Sequence, residues 1–199
     1  MNWVELISAL LGLGCVFLAG RGSRYNFWLG YVYNIFLFAL FWKQHLYSAM
    51  LIQPVAFGIN AYGHWRWTHP SEAEKNSSGD LRIGTMGPRA WVLALLLVAL
   101  LGFLWARVLL WLPGRWPQAF APDPAPWLDS YILMVTLLAQ LLSARKVWEC
   151  WLVWLAINIA NIVLYIRSGL YLMPVVSALY LANGIWSLVS WKRKYNANE

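Results

Sequence analysis

Charge is scarce in this chain. Only 12% of its 199 residues are Asp, Glu, Lys or Arg, against about 25% in an ordinary soluble domain. Too few polar side chains remain to cover a globular surface in water. That excludes a soluble enzyme, a nucleic-acid-binding module and a disordered tail. Acid is scarcer still: the carboxylates Glu5, Glu72, Glu74, Asp80, Asp123, Asp129, Glu149 and Glu199 all fall in connections or near the ends of apolar runs. Proton-coupled carriers usually bury a carboxylate on their pathway, so the lack of one at mid-membrane favours facilitated diffusion. Cysteine is limited to Cys15 and Cys150, with no CxxC or Cys/His spacing, which argues against a zinc site or a disulfide framework. No HExxH, Ser/His or paired-carboxylate arrangement lies at membrane depth, so no catalytic residue, metal or cofactor is expected. The first apolar run lacks the preceding Lys or Arg of a secretory signal and is expected to be a retained helix.

What is abundant is apolar and aromatic: 61% hydrophobic residues, 15 of them Trp, and a mean hydropathy of +0.54. The class is an all-α integral membrane protein. A span needs roughly 20 mostly apolar residues, and the runs are Trp3–Ala19, Phe27–Trp42, Leu46–Trp67, Ala90–Leu112, Trp127–Ser143, Val147–Ile166 and Leu170–Trp191. Seven spans are predicted. The third is followed by THPSEAEKNSSGDLRIGTMGPR, a flexible linker by composition, and the fourth by PGRWPQAFAPDPAP, which Pro stiffens against helix. Alternating sides then collect Arg21, Arg24, Arg66, Lys75, Arg82, Arg89, Arg145, Lys146, Lys192, Arg193 and Lys194 on one face. Only Lys43, Arg107, Arg115 and Arg167 fall on the other. By the positive-inside rule the N-terminus faces out and the C-terminus the cytoplasm.

Sliding the chain along itself by 124 residues uncovers a repeat. Arg21 falls on Arg145, Asn34 on Asn158, Ile35 on Ile159, Leu40 on Leu164, Lys43 on Arg167, Leu46-Tyr47 on Leu170-Tyr171 and Trp67 on Trp191. The predicted plan is three helices, one linker helix and three helices, with both halves running the same way. Its divisions are a first repeat over 1–67, linker segments and the linker helix 90–112 within 68–126, and a second repeat over 127–199. Parallel repeats of this kind occur in secondary transporters that bind substrate between the halves.

Polar residues inside hydrocarbon need partners, so their placement is informative. On the sixth span Trp151, Trp154, Asn158, Asn161 and Tyr165 form one stripe at helical spacing. Gln53, Phe57, Asn60 and His64 share a face of the third. Thr136 and Gln140 are one turn apart on the fifth, and Tyr180, Asn183 and Ser187 follow the same rule on the seventh. A lone Asn is more often interhelical glue, which is the reading for Asn34. Trp near a helix end is usually interface belt, which is the expectation for Trp42, Trp67, Trp127, Trp148 and Trp191. An aromatic-plus-amide stripe on two helices instead suggests a lined cavity. His64 has no second ligand at metal spacing and is read as structural. Pro54 is expected to kink the third span. Indole and amide without charge suit a flat, sugar-bearing ring, and indole faces stabilise it further if it is cationic.

The stretches WVELISALLGLGCVFLAG and YNFWLGYVYNIFLFALFWKQHLYSAMLIQPVAFGINAYGHWRW, with PDPAPWLDSYILMVTLLAQLLSARKVWECWLVWLAINIANIVLYIRSGLYL, resemble the Pnu vitamin transporters of the PnuC type, which carry nicotinamide riboside. The most specific part is ARKxxExWxxW with a following Asn, here Ala144, Arg145, Lys146, Glu149, Trp151, Trp154 and Asn158. The resemblance implies a SWEET-like three-one-three fold with a central site, and a facilitator whose vitamin is trapped by a cytoplasmic kinase. It also implies a homo-oligomer, a trimer, in the bacterial inner membrane. It carries over Trp151, Trp154, Asn158, Gln53 and Asn60 as substrate-binding residues. Phe57, Asn161, Gln140, Tyr180 and Asn183 are added from their faces. Thiamine or riboflavin on the same scaffold is the alternative substrate, and a membrane enzyme or assembly factor the alternative class.

Overall fold

The computed structural model describes residues 3–43, 50–120, 122–123, 125–167 and 172–197. Among them are seven α-helices: α1 (Trp3–Gly20), α2 (Tyr25–Lys43), α3 (Gln53–Thr68), α4 (Pro88–Arg115), α5 (Pro126–Ala144), α6 (Cys150–Arg167) and α7 (Leu172–Asn196). Contacts run α1 to α2, α2 to α3, α3 to α5, α5 to α6, α6 to α7, and α7 back to α1. Six helices therefore close a ring, and α4 leans against α5. The face of α4 that packs is small and apolar, with Gly102, Ala106, Leu109 and Leu112 buried. Its remaining leucines, Leu93 and Leu96 among them, are exposed, an arrangement that lipid accepts and water does not.

The predicted spans become these helices with shifted ends. The beginnings of the third and seventh spans, and with them the Leu46-Tyr47 and Leu170-Tyr171 match, lie outside the described residues. Pro54 does not sit mid-helix: the chain is helical at Met50 and Leu51, turns at Ile52, and restarts as α3 with Pro54 in the first turn. There its missing N–H would be unpaired in any case. Helix α4 runs through Pro113 to Arg115, beyond the predicted end. Two of the expected belt tryptophans are core. Trp67 and Trp191 are 3% and 1% exposed, and each indole N–H donates across a seam of the ring. Trp67 Nε1 reaches Ala144 O at 3.0 Å and Trp191 Nε1 reaches Gly20 O at 2.8 Å. A buried indole N–H needs such an acceptor.

Those two bonds are related by the same 124-residue offset, donor to donor and acceptor to acceptor. So are the turns. After α1, Ser23 N donates to Leu18 O and Gly22 N to Ala19 O; after α5, Val147 N donates to Leu142 O and Lys146 N to Ser143 O. This is a Schellman closure, which places its C′ residue in the left-handed region, and Gly22 and Lys146 have φ of 74° and 57°. Phe27 meets Trp67 edge-on at 5.0 Å, and Trp151 meets Trp191 edge-on at 5.5 Å. Trp67 and Trp191 themselves approach to 5.9 Å.

The linker after α3 is not loose. Ser71 and Glu74 form a capping box on a short 3₁₀ turn (Glu72–Glu74). The Asn76 side chain accepts from Ser78 N and Asp80 N, closing a small hairpin. Leu81 and Ile83, on alternate positions, are 3% and 4% exposed and join the core of Phe27, Trp67, Trp151 and Trp191. Composition predicted flexibility because the polar residues dominate it. They bond locally, and the two apolar ones anchor the segment across the basic end of the bundle as a strap.

Candidate functional site

The α6 stripe turns inward. Trp151 is 1% exposed and Asn158 8%, with Trp154 packed against the same core, while Leu152, Ile159 and Val163 on the opposite face are exposed. Trp151 lies in the first turn at the basic end, Trp154 one turn deeper, and Asn158 near the helix middle. Among the described residues the buried Trp151 indole N–H has no acceptor, a costly condition unless a ligand supplies one. Asn158 Nδ2 donates to Trp154 O one turn back, at 2.9 Å. Asn161 is half-buried on the same stripe. The Tyr165 side chain lies outside the described residues.

The other candidates divide. Asn60, midway along α3, donates from Nδ2 to Phe27 O at 2.9 Å and sits in space left by Gly30. Asn183, midway along α7, donates to Val16 O at 3.3 Å. Both join neighbouring helices. Gln53 is buried, and Gln140 is half-buried. Tyr180 brings its hydroxyl over Gly12 of α1, where the Tyr33 hydroxyl also approaches. Phe57 is 39% exposed, its ring 5.0 Å from Tyr31. Thr136 bonds its own helix at Ile132 O.

Sequence reasoning missed Tyr31 and Tyr33. Tyr31 Oη bonds His64 Nδ1 at 3.1 Å, and His64 stacks on Phe27 and meets Trp28 edge-on. These contacts tie His64 of α3 to α2. Among the described residues no group of three His, Cys, Asp or Glu side chains could hold a metal ion. A Gly at position 12, opposite two tyrosines of other helices, was the available signal for Tyr33.

The ARKxxExWxxW segment has a second task that its spacing did not announce. Lys146, 7% exposed, donates from Nζ to Leu81 O at 2.7 Å, with Nζ 4.9 Å from the Trp67 ring centroid. Burial pushes the Lys146 ammonium down to about 8 from its usual 10.5. Glu149 accepts from Thr85 Oγ1 and from Met86 N. Backbone bonds from Gly84 N to Lys146 O and from Trp148 N to Gly84 O complete the grip. Arg66, at the end of α3, holds the strap's other limb by a two-pronged pair with Glu74. That pairing, with the Ser71 bonds, draws the Glu74 carboxyl down to about 2. Two cavities flank the strap, of about 310 and 390 Å³. None of the ten candidate residues lines either.

Comparison with known proteins is consistent throughout the chain. The family described as nicotinamide mononucleotide transporter matches residues 2–193. The nicotinamide riboside transporter PnuC of Escherichia coli (strain K12) is 27% identical over 191 residues, covering 87% of this chain and 78% of that one. The riboflavin/roseoflavin transporter RibM of Streptomyces davaonensis is 24% identical over 193 residues, covering 95% and 84%. In fold the chain is similar to the crystal structure of the vitamin B3 transporter PnuC, with a TM-score of 0.73 at 18% identity, covering 99% of this chain and 83% of that one.

Proposed function

The chain belongs to the nicotinamide mononucleotide transporter family, a family of membrane transporters rather than enzymes, and from that premise we propose that it carries nicotinamide riboside by facilitated diffusion. The observation that carries this reading is the inward stripe of α6: a buried, acceptor-less indole N–H on Trp151, a second indole at Trp154 and an amide at Asn158. A pyridinium ring stacks on indole and gains cation–π attraction there, and ribose hydroxyls supply acceptors and donors for indole and amide. Gln53, Asn60, Phe57, Asn161, Gln140, Tyr180 and Asn183 complete the proposed lining, Asn60 and Asn183 each having committed one amide hydrogen to a helix backbone.

The proposed layout has repeats over 1–67 and 127–199 in the bacterial inner membrane. The basic end faces the cytoplasm, the N-terminus faces out, and substrate is trapped by a cytoplasmic kinase. No cation stands on the α6 stripe, so a nucleotide's phosphate would enter a low-dielectric site unpaired. Riboflavin is the second reading, favoured by the similarity to RibM. It is uncharged and offers the indoles stacking alone.

Calorimetric titration of the purified protein with nicotinamide riboside, its 5′-phosphate, thiamine and riboflavin tests the substrate. The riboside is expected to bind at least about tenfold more tightly than each of the others, which corresponds to about 1.4 kcal/mol. Equal affinity for the phosphate, or preference for riboflavin, would overturn the assignment.

A further inference from the structure

The larger cavity, about 390 Å³, lies at the basic end and is built from four parts of the chain. The α1–α2 turn supplies Arg21, the strap supplies Ser77, Ser78 and Asp80, and the α5–α6 turn and α7 supply Lys146 and Lys194. Three cations thus face one carboxylate. Among the described residues none of the three cations is in an ion pair. Among the described residues Lys146 is buried with the Leu81 carbonyl oxygen and the Trp67 ring as its partners, and Arg21 is held in place over the Phe17 ring at 4.2 Å. Burying an ammonium without a counter-charge is unfavourable. A pocket with that charge surplus and two hydroxyl donors is complementary to a compact anion with several acceptor oxygens. Its volume falls within the range of about 300–1,000 Å³ usual for small-ligand sites.

We propose that this pocket binds a phosphate group, free or esterified, and that the bound anion clamps the strap to both halves of the ring. The phosphate takes charge-assisted bonds from Arg21, Lys194 and Lys146 and hydroxyl bonds from Ser77 and Ser78. Since its walls belong to the strap and to both turns, occupancy holds the basic end shut. A phosphorylated solute accumulating on that side would then slow its own supply. The site is separate from the uncharged α6 stripe, and its test does not depend on the transported solute.

The test is hydrogen exchange on the full chain in uncharged detergent, with inorganic phosphate titrated against sodium chloride at matched ionic strength. Saturable protection of residues 76–84 by phosphate is expected. The doubly substituted Arg21→Gln/Lys194→Gln protein should need at least about tenfold more phosphate for the same protection, and Asp80→Asn should need less. Arg21, Lys194 and Asp80 are exposed, so these variants should fold, as size-exclusion elution and melting temperature will show. Protection that chloride reproduces, or that the double variant retains at wild-type concentrations, would overturn the proposal. Lipid discs distinguish the source of the phosphate: protection in discs containing phosphatidic acid, with no soluble phosphate, assigns it to a headgroup. Protection in neutral discs only on adding phosphate or a sugar phosphate assigns it to a soluble ester. Its absence under both conditions would again refute the site.

Discussion

At corresponding places in the two halves, the chain has Gly30 on α2 against Asn60 on α3, and Trp154 on α6 against Gly184 on α7. In the first half the small residue is on the earlier helix, and Asn60 fills the space over it and bonds Phe27 O. In the second half the large residue is on the earlier helix, and the place of Asn60 is a glycine packed beside Leu155. The turns differ in the same sense. Gly22 is bare, whereas Lys146 at the same left-handed position reaches the strap. Tyr25, the counterpart of Glu149, is exposed, whereas Glu149 is buried under Thr85 and Met86. One backbone plan has therefore been divided. The first half uses Asn60 to join helices, and the second turns Trp154 toward the core and Lys146 and Glu149 toward the strap.

The equivalence of the two seams can be broken most severely by filling them. A Cβ on Gly63 would stand 2.9 Å from Ala144 Cβ and 3.0 Å from its backbone. At the other seam Ser187 stands in the place of Gly63, against Gly20 in the place of Ala144. Gly63→Leu and Ser187→Leu should each open a seam, with overpacking of about 3 kcal/mol or more and loss of most monodisperse protein on size-exclusion chromatography. Gly58→Leu, where a Cβ meets nothing within 4 Å, is the tolerated control. Damage at one seam alone would show that the two are not equivalent.

How much of this was legible beforehand follows from which interactions are periodic. Seven helices, the inward stripe on α6 and the repeat all rest on spacing, and spacing is written in the sequence. The ring closure was foreshadowed by Trp67 falling on Trp191, but their burial was not, because an indole at a helix end reads equally as interface belt. The strap was misread for a physical reason. Its polar residues satisfy one another within a few positions, and its fixation depends on Leu81, Ile83 and partners more than sixty residues away. Asn60 and Asn158 looked alike by spacing. What separates them is which carbonyl each amide reaches, and no pattern in the chain states that.

That separation is the next comparison to sharpen, with intermediate effects. Asn60→Leu removes a bond between helices and crowds Gly30, so it should lower stability by about 1–3 kcal/mol, read as a lower melting temperature. Riboside affinity of the surviving protein should fall less than in the α6 variants, because one amide hydrogen of Asn60 is already committed to Phe27 O. Asn158→Leu and Trp154→Ala should instead show the larger losses of riboside affinity. For Trp154→Ala the loss of stacking and cation–π attraction predicts about 5- to 150-fold weaker binding, corresponding to about 1–3 kcal/mol. Calorimetry and melting curves on all three variants decide the matter. A Trp154→Ala protein with wild-type affinity would remove the proposed site from α6.

The smallest effect expected is at the turns themselves, where Lys146→Gly makes the second half resemble the first. At neutral pH opposing terms nearly cancel. Glycine relieves the left-handed backbone at φ 57°, worth about 1 kcal/mol, and removes a buried ammonium. It also removes the Nζ bond to Leu81 O, a charged hydrogen bond worth about 1.5–3 kcal/mol. The melting temperature should therefore shift by only a few degrees, while hydrogen exchange at residues 81–86 quickens as the strap loses a fixing point. The two turns part clearly on raising the pH. The folded protein releases the Lys146 proton near 8 and the unfolded chain releases it near 10.5. Between those values the unfolded state binds more protons, so wild-type stability gains from this group as pH rises through that window. The Lys146→Gly protein lacks that gain, and the difference between the two melting-temperature profiles isolates it from every other titrating group. Parallel profiles from pH 7.5 to 10.5 would mean that the Lys146 side chain is not buried under the strap, and that the second turn is as bare as the first.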